Sequence, residues 1–454
     1  MRALWAGMAA YAVGFGTLAS LEHRAFETGR FDLGNMVQAV WSTTHGRPLE
    51  ITDLSGNQIN RLGAHVDPLL AAFAPLWWIW PSPTMLLIAQ AAALALGALP
   101  VFWLARKHLG SERIAVLFGL AYLVYPPVQW LALDEFHPVA FACPLLLYAV
   151  WYLDEDRLLA ALPFLGLAAL TKEEVPLVVA GIGVWYAISH RRRLAGGALA
   201  VGGLALTGLS LTVVMPHFRG GEAPEFYERY DAVGGSLGGI VRTALTDPVT
   251  LIQAVTQGRD LAYILQLGLP LAMVFLAAPL LLVAALPELG ANLLSDVSTQ
   301  TSIEFHYTAP IVPFLVAGAV FGVARFPRLT PLPLIAALVG AILVGPLWAG
   351  ELVPDRMSAH DRVAARAVDL IPPRAAVSST NGLGAHLSAR RRVLSFPVIR
   401  EADWVAVDLR RASYLDRRSS ASTAAVPLAR LLLSGAWSKV LDEDGVIVLH
   451  RSNA

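Results

Sequence analysis

Five short stretches hold the residues of this chain that could do chemistry. Leu133-Asp134-Glu135-Phe136-His137-Pro138 places two adjacent carboxylates just ahead of an imidazole. Thr171-Lys172-Glu173-Glu174 sets an ammonium against two acids, and Ile303-Glu304-Phe305-His306-Tyr307 offers an imidazole beside a phenol. Nearer the N-terminus come Phe31-Asp32-Leu33-Gly34-Asn35, with Gln38 beyond it, and His65-Val66-Asp67-Pro68. Oxygen ligands joined by one nitrogen suit a hard or borderline divalent cation such as Mn²⁺ or Mg²⁺, so Asp134, Glu135 and His137 are the candidate metal ligands. That cation, or Lys172, can neutralise a phosphate leaving group, with His306 near the same phosphate. A separate carboxylate, Asp32, can take the proton from an attacking hydroxyl. Glu173, Glu174, His65, Asp67 and Tyr307 are expected as supporting groups. Four of the five stretches also have a plain structural reading. Asp32 can cap a helix, His65 and Asp67 can pair or cap the turn begun by Pro68, the Asp134-Glu135 pair can be an exposed cap, and His306 and Tyr307 can belong to an interfacial belt.

The elements that must position these groups follow from composition. The chain has 454 residues, 56% apolar, with 34 basic against 34 acidic side chains, a balance that points to no nucleic-acid or other polyanionic partner. Of those 68 charges, 25 fall in residues 355–454, so the last hundred residues have the charge density of a soluble domain while the rest is far too apolar for one. A spanning helix needs roughly 20 mostly apolar residues, and such stretches recur through residues 3–349. Eleven membrane helices are expected, at 3–20, 83–105, 113–127, 138–152, 157–171, 175–189, 196–214, 261–276, 278–294, 308–324 and 331–349. Residues 3–20 follow Arg2 without a clear cleavage site and read as a retained first span. Residues 66–80 are expected to lie at the interface, because Trp77, Trp78 and Trp80 cluster as interfacial aromatics do. The single cysteine, Cys143, excludes an intrachain disulfide and any cysteine-built zinc site.

Orientation follows from basic residues in short connections. Arg2, Arg106, Lys107 and Arg113, then Arg191 to Arg193, then Arg325 and Arg328, all fall on one side with eleven spans. The opposite connections, 128–137, 172–174 and 295–307, contain Lys172 as their sole basic residue. The expectation is therefore a multi-pass protein of the cytoplasmic (inner) membrane with its N-terminus in the cytoplasm. Loops 21–82 and 215–260 and a C-terminal domain would face outward, together with all five chemical stretches. This gives an all-α polytopic bundle over residues 1–350 and a small soluble α/β domain over 351–454. In that tail, 359–370 and 425–433 are helix-like, Ala375–Ser379 and Trp404–Leu409 strand-like, and Trp437–Val440 and Val446–His450 bracket a hairpin at Glu443-Asp444-Gly445. A membrane cavity for a lipid chain beneath a polar outer mouth suits displacement at a sugar carbon whose leaving group is a lipid phosphate.

These same residues resemble an uncharacterised bacterial family of predicted membrane proteins, a domain of unknown function, within the GT-C clan of integral-membrane glycosyltransferases. The resemblance covers residues 1–454. It is carried by Phe31-Asp32-Leu33 with Gln38, His65-x-Asp67-Pro68, Asp134-Glu135-x-His137-Pro138, Lys172-Glu173-Glu174 and His306-Tyr307-x-x-Pro310. Ala376-Val377-Ser378, His386-Leu387-Ser388 and Phe396-Pro397 in the tail extend it. The clan implies transfer of a sugar from a polyprenyl-phosphate-linked donor to a glycan, lipid or protein acceptor, with an essential acid in the first outer loop, a position that Asp32 matches. In its metal-dependent oligosaccharyltransferase branch an acidic motif of the second outer loop helps bind a cation, and Asp134, Glu135 and His137 are similarly placed. The tail lacks a WWD-type acceptor motif, which argues against asparagine-linked transfer. Two other readings stand beside this one. A lipid or solute transporter also carries buried ions and interrupted spans, although no repeated halves are visible here and the ionisable residues gather toward one face. A non-catalytic relative would bind lipid-linked sugars without turning them over.

Overall fold

The computed structural model describes residues 1–222, 225–413, 415–416 and 424–452, so residues 223 and 224 of the expected second outer loop lie outside it. The chain is mostly helical, with a small sheet domain at its C-terminal end. It divides into two compact units. The first comprises Met1–Gly16, Gly63–Leu69 and Ile88–Val353, and the second Thr17–Leu62, Leu70–Leu87 and Pro354–Ala454.

Among the described residues four helices are long and apolar enough to cross a membrane: Arg2–Arg24, Pro83–Leu109, Arg193–Phe218 and Pro327–Ala349. A fifth results if Glu112–Val124 and Pro126–Leu133, bent by 46° at the break between them, form one crossing. The bend falls where Pro126 and Pro127 follow Tyr125, because proline disfavours helical backbone in the residue before it. Five further apolar helices have only 10–17 residues, among them Leu158–Ala169, Val175–Ser189 and Val312–Arg325. At about 1.5 Å per residue these fall short of a ~30 Å hydrocarbon core.

The expected spans 261–276 and 278–294 are not continuous helices either. Residues 261–276 are covered by a helix Gly258–Gly268, a turn Leu269–Leu271, left-handed Ala272 and Met273, and a second turn Val274–Ala277. Residues 278–294 form two short helices, Pro279–Leu282 and Leu286–Leu294. Pro270, Pro279 and Pro287 lack the amide donors a continuing helix needs, and each begins a new turn instead. The expected loop 215–260 is largely helical, with Leu237–Thr246 and Pro248–Ala254 each capped by the side chain of the residue before it, Ser236 and Asp247.

Small residues set a close helix contact in the first unit. Val175–Ser189 and Arg193–Leu209 lie so near that a methyl group on Gly183 would fall 2.5 Å from the Gly196 carbonyl oxygen, and one on Gly203 would run into the Pro176 carbonyl. Backbones approach this closely only where side chains are absent. The contact anchors the start of Val175–Ser189, directly after Lys172-Glu173-Glu174.

In the second unit the hairpin β1 (Glu50–Thr52) and β2 (Gln58–Asn60) follows the helix Asn35–Thr44. The tail forms a five-stranded sheet from β3 (Val377–Ser379), β4 (Val393–Ser395), β5 (Trp404–Asp408), β6 (Trp437–Glu443) and β7 (Val446–Arg451), in the order β4-β3-β5-β7-β6. β3 runs parallel to both neighbours, and β5-β7-β6 are antiparallel. The expected tail helices appear as Ala359–Asp369, opened by a Ser358/Asp361 capping box, and Ala425–Leu433. Arg30 joins the first segment to this sheet. Its guanidinium is fully buried and donates to the Val393 carbonyl at 2.7 and 3.0 Å, to Ser395 Oγ at 2.6 Å and to the Thr52 carbonyl at 2.7 Å. Gln38 donates to the Arg391 carbonyl at 2.9 Å and accepts from the Thr52 amide at 2.8 Å.

Candidate functional site

Asp134 caps the C-terminus of Pro126–Leu133, its amide returning to the Trp130 carbonyl at 2.9 Å. The chain then turns sharply through Glu135, whose φ of +44° is uncommon for a residue with a side chain. Gln90, buried within Pro83–Leu96, holds the turn from both sides. Its amide donates to the Leu131 and Glu135 carbonyls at 2.8 and 2.7 Å, and its oxygen accepts from the His137 amide at 2.8 Å. Pro138 starts the next helical turn.

Residue 306 arrives from far along the chain. The His306 amide donates to Asp134 Oδ2 at 2.6 Å, and its Nδ1 lies 3.0 Å from the same oxygen. His137 Nδ1 lies 2.8 Å from the Asp134 backbone carbonyl, and the two imidazoles stack 3.7 Å apart at 18°. Each Nδ1 therefore carries a hydrogen donated to Asp134, which makes Nε2 the lone-pair side of each neutral ring. The donor atoms of Asp134, His137 and His306 all lie within 4.8 Å of one another. A carboxylate with two imidazoles oriented by Nδ1–H bonds is a donor set that a borderline divalent cation can use. Glu135 is not in this group: the structure assembles Asp134 and His137 with His306, which the sequence had put beside the phosphate. Burial pushes the Asp134 carboxyl above the usual carboxylate range, against the opposing pull of His137 and the His306 amide.

The second cluster forms at the connection between Leu158–Ala169 and Val175–Ser189. Glu173 is buried, with Oε1 2.8 Å from His65 Nδ1 and Oε2 accepting from the Val66 amide at 2.8 Å. Thr207 donates to the Glu173 carbonyl at 3.2 Å. Lys172 Nζ lies 2.6 Å from Glu174 Oε1 and 5.2 Å from the centroid of the Tyr307 ring. Burial alone would lower the Lys172 pKa, but the Glu174, Glu173 and Glu288 carboxylates outweigh it and hold the ammonium charged, above its ordinary value. Burial would likewise raise Glu173, yet His65 and Lys172 prevail and keep its carboxyl down at about 2. In Glu174 burial prevails, and the carboxyl is raised despite Lys172. Tyr307 links the two clusters: it follows His306, its ring faces Lys172, its carbonyl accepts from Asn292 at 3.1 Å, and Arg229 reaches its hydroxyl at 3.4 Å.

The first unit thus brings His65, Asp134, His137, Lys172, Glu173, Glu174, His306 and Tyr307 into two adjoining clusters, with Asp67 buried at the start of the turn Pro68–Phe73. Asp32 belongs to the second unit. It sits partly buried in the turn Arg30–Gly34 that opens the helix Asn35–Thr44. Sequence reasoning passed over Gln90, Asn292 and Glu288. Each was visible as a lone polar residue within an apolar run, and Glu288 is a buried carboxylate whose Oε2 has no hydrogen-bond partner among the described residues. A polar group at such a depth is expensive unless it has work to do.

A family model described as predicted membrane protein (DUF2079) matches residues 22–448. No curated protein matches the chain by sequence. Among solved structures, the chain is similar to ArnT from Cupriavidus metallidurans bound to undecaprenyl phosphate, with a TM-score of 0.57, 13% identity and 98% of each chain covered. ArnT in the apo state gives 0.52 at 13% identity, covering 97% of this chain and 96% of that one. The archaeal oligosaccharyltransferase AglB from Archaeoglobus fulgidus, in complex with an inhibitory peptide and a dolichol-phosphate, gives 0.47 at 13% identity, with 98% of this chain and 74% of AglB covered. The likeness to ArnT is one of fold.

Proposed function

The chain belongs to the DUF2079 family of predicted membrane proteins, and from that premise we propose that it is a GT-C-type glycosyltransferase. It transfers a sugar from a polyprenyl-phosphate-linked donor to an acceptor at the outer face of the cytoplasmic membrane. The observation that carries this reading is the convergence of acids, imidazoles and one ammonium from four distant segments within a largely apolar unit. The fold shared with ArnT, whose structure holds undecaprenyl phosphate, supports the lipid-linked donor. Eleven crossings, a cytoplasmic N-terminus and an outward-facing C-terminal domain complete the proposal.

In the transfer step the acceptor hydroxyl oxygen bonds to the anomeric carbon as the bond from that carbon to the phosphate oxygen breaks. The electron pair leaves with the polyprenyl phosphate, and the hydroxyl proton passes to the Asp32 carboxylate. Lys172, kept charged by its acidic neighbours, lies beside the departing phosphate and offsets its negative charge. Glu173 and Glu174 hold that ammonium in place, with His65 and Asp67 supporting the same loop. Asp134, His137 and His306 would hold a divalent cation, Mn²⁺ or Mg²⁺, which when bound supplies further positive charge for the phosphate; Glu135 orients that turn. Two imidazoles in the donor set favour Mn²⁺ over Mg²⁺.

The test is release of polyprenyl phosphate from purified protein in nanodiscs supplied with polyprenyl-phosphate-linked hexoses and pentoses. Asp32→Asn is expected to slow release by about 10²-fold or more. An Asp32→Asn protein that works at the wild-type rate removes Asp32 from the mechanism. Saturable donor binding without any turnover by the wild type would instead identify a non-catalytic relative.

A further inference from the structure

The second unit contains a concavity of about 400 Å³ whose walls include the indoles of Trp41, Trp77 and Trp78, with Thr44 and His45 beside them. Such a volume lies within the range of small-molecule sites, roughly 300–1,000 Å³. An interfacial tryptophan belt accounts for indoles at one membrane depth, but not for three of them walling one hollow. Trp78 is 70% exposed, while its neighbour Trp77 is only 4% exposed and lines the same hollow.

One of these rings is held in place by its neighbours. Trp41 is clamped by His45, stacked on it at 4.1 Å, and by the Arg47 guanidinium 5.4 Å from its centroid. Arg47 is itself paired with Glu50 at 3.0 Å. His45 Nδ1 donates to the Trp41 carbonyl at 2.8 Å, which leaves Nε2 as an acceptor. Trp77 brings an indole N–H donor to this wall. No lining residue carries a carboxylate, an ammonium or a guanidinium. Flat apolar faces ringed by a few neutral donors and acceptors, without fixed charge, fit a ring that is apolar on its faces and hydroxylated at its rim.

We propose that this pocket binds a neutral pyranose ring, as a subsite for the acceptor glycan. The assignment to the acceptor rests on the glycosyltransferase reading; the binding of a sugar ring does not. The ring stacks on the exposed face of Trp78, with one hydroxyl accepting from the Trp77 N–H and another donating to His45 Nε2.

The experiment uses the full-length protein in nanodiscs, titrated with methyl β-D-glucopyranoside and methyl α-D-mannopyranoside. Binding is read by saturation-transfer NMR, with the charged methyl glucosiduronate as comparator. At least one neutral glycoside is expected to bind saturably and more tightly than the comparator. Trp78→Ala, at an exposed position, should weaken it about tenfold or more. Trp77→Phe, which keeps a ring but loses the N–H, should weaken it several-fold. No saturable binding of either neutral glycoside, or unchanged binding by Trp78→Ala, overturns the proposal. Absent sugar binding alongside intact donor turnover would sink the pocket alone, whereas sugar binding without donor turnover would sink the transferase reading and leave the pocket standing.

Discussion

The charges around Lys172 are balanced so closely that each can be tested alone. Lys172→Met leaves Glu174 without its partner in a partly buried place, and breaking a buried pair from one side costs about 3 kcal/mol or more. The expected result is a clearly lowered Tm in detergent, recovered in large part by adding Glu174→Gln. An unchanged Tm for the single variant would show that the pair is solvated. Glu173 yields a pH prediction of definite sign. Its carboxyl is held at about 2, below its ordinary value of 4.5, so its ionised form stabilises the folded state. That contribution is complete at neutral pH, declines once pH falls below about 4.5, and is gone near 2. Wild type and Glu173→Gln should therefore differ in thermal stability by a constant amount from pH 7 to 5 and converge below that. A gap that widens on acidification contradicts the ionised assignment.

At the scale of elements, the cation candidate depends on a turn held from outside by a residue that is not itself a candidate ligand. Gln90 spans that turn with three hydrogen bonds, two to carbonyls and one from the His137 amide. It keeps Glu135 in left-handed backbone and aims His137 at its partners. Groups that orient ligands without touching the metal typically carry 10–100-fold in affinity. Gln90→Leu is expected to weaken Mn²⁺ binding by about tenfold, measured by calorimetry on the full chain. Equal affinity in the two proteins would separate the turn from the metal. The short helices that end at these turns belong to the same arrangement. Irregular backbone in a membrane protein is tolerated where it lines a polar cavity or is buried in protein, and the break between Leu282 and Leu286 comes just before Glu288, a buried acid that acts on Lys172.

For the whole molecule the testable quantity is sidedness. Cys143 is the sole cysteine and is fully buried, so single cysteines placed on the surface report cleanly. Ser438 in β6 and Ser189, next to the basic cluster Arg191 to Arg193, are both exposed. With an outward tail, Ser438→Cys should react with a membrane-impermeant maleimide in intact cells. Ser189→Cys should react only after permeabilisation, and the reverse pattern would invert the orientation. The second unit adds a point about economy of folding. Arg30 and Gln38 of the first segment spend their hydrogen bonds on the tail strand β4 and the residues before it, so two parts of the chain separated by more than 350 residues share one polar core.

Much of this was legible in the sequence because it depends on local pattern. Apolar runs of spanning length, the shift in charge density near residue 355, and the Asp444-Gly445 turn between alternating strands are all set by neighbours a few residues apart. The same is true of the stretches that carry acids and imidazoles. Which of them meet was decided only by the tertiary structure. Nothing near residue 134 announces that its carboxylate will take the amide of residue 306, 172 positions away, or that Gln90 will hold the turn between them. Nor does a single run of sequence show Trp41, Trp77 and Trp78 closing one hollow. Membrane insertion and strand pairing follow from composition and period, whereas the partners of a buried polar group are chosen by the packing of the entire chain, since each must find its hydrogen bonds wherever the fold delivers them.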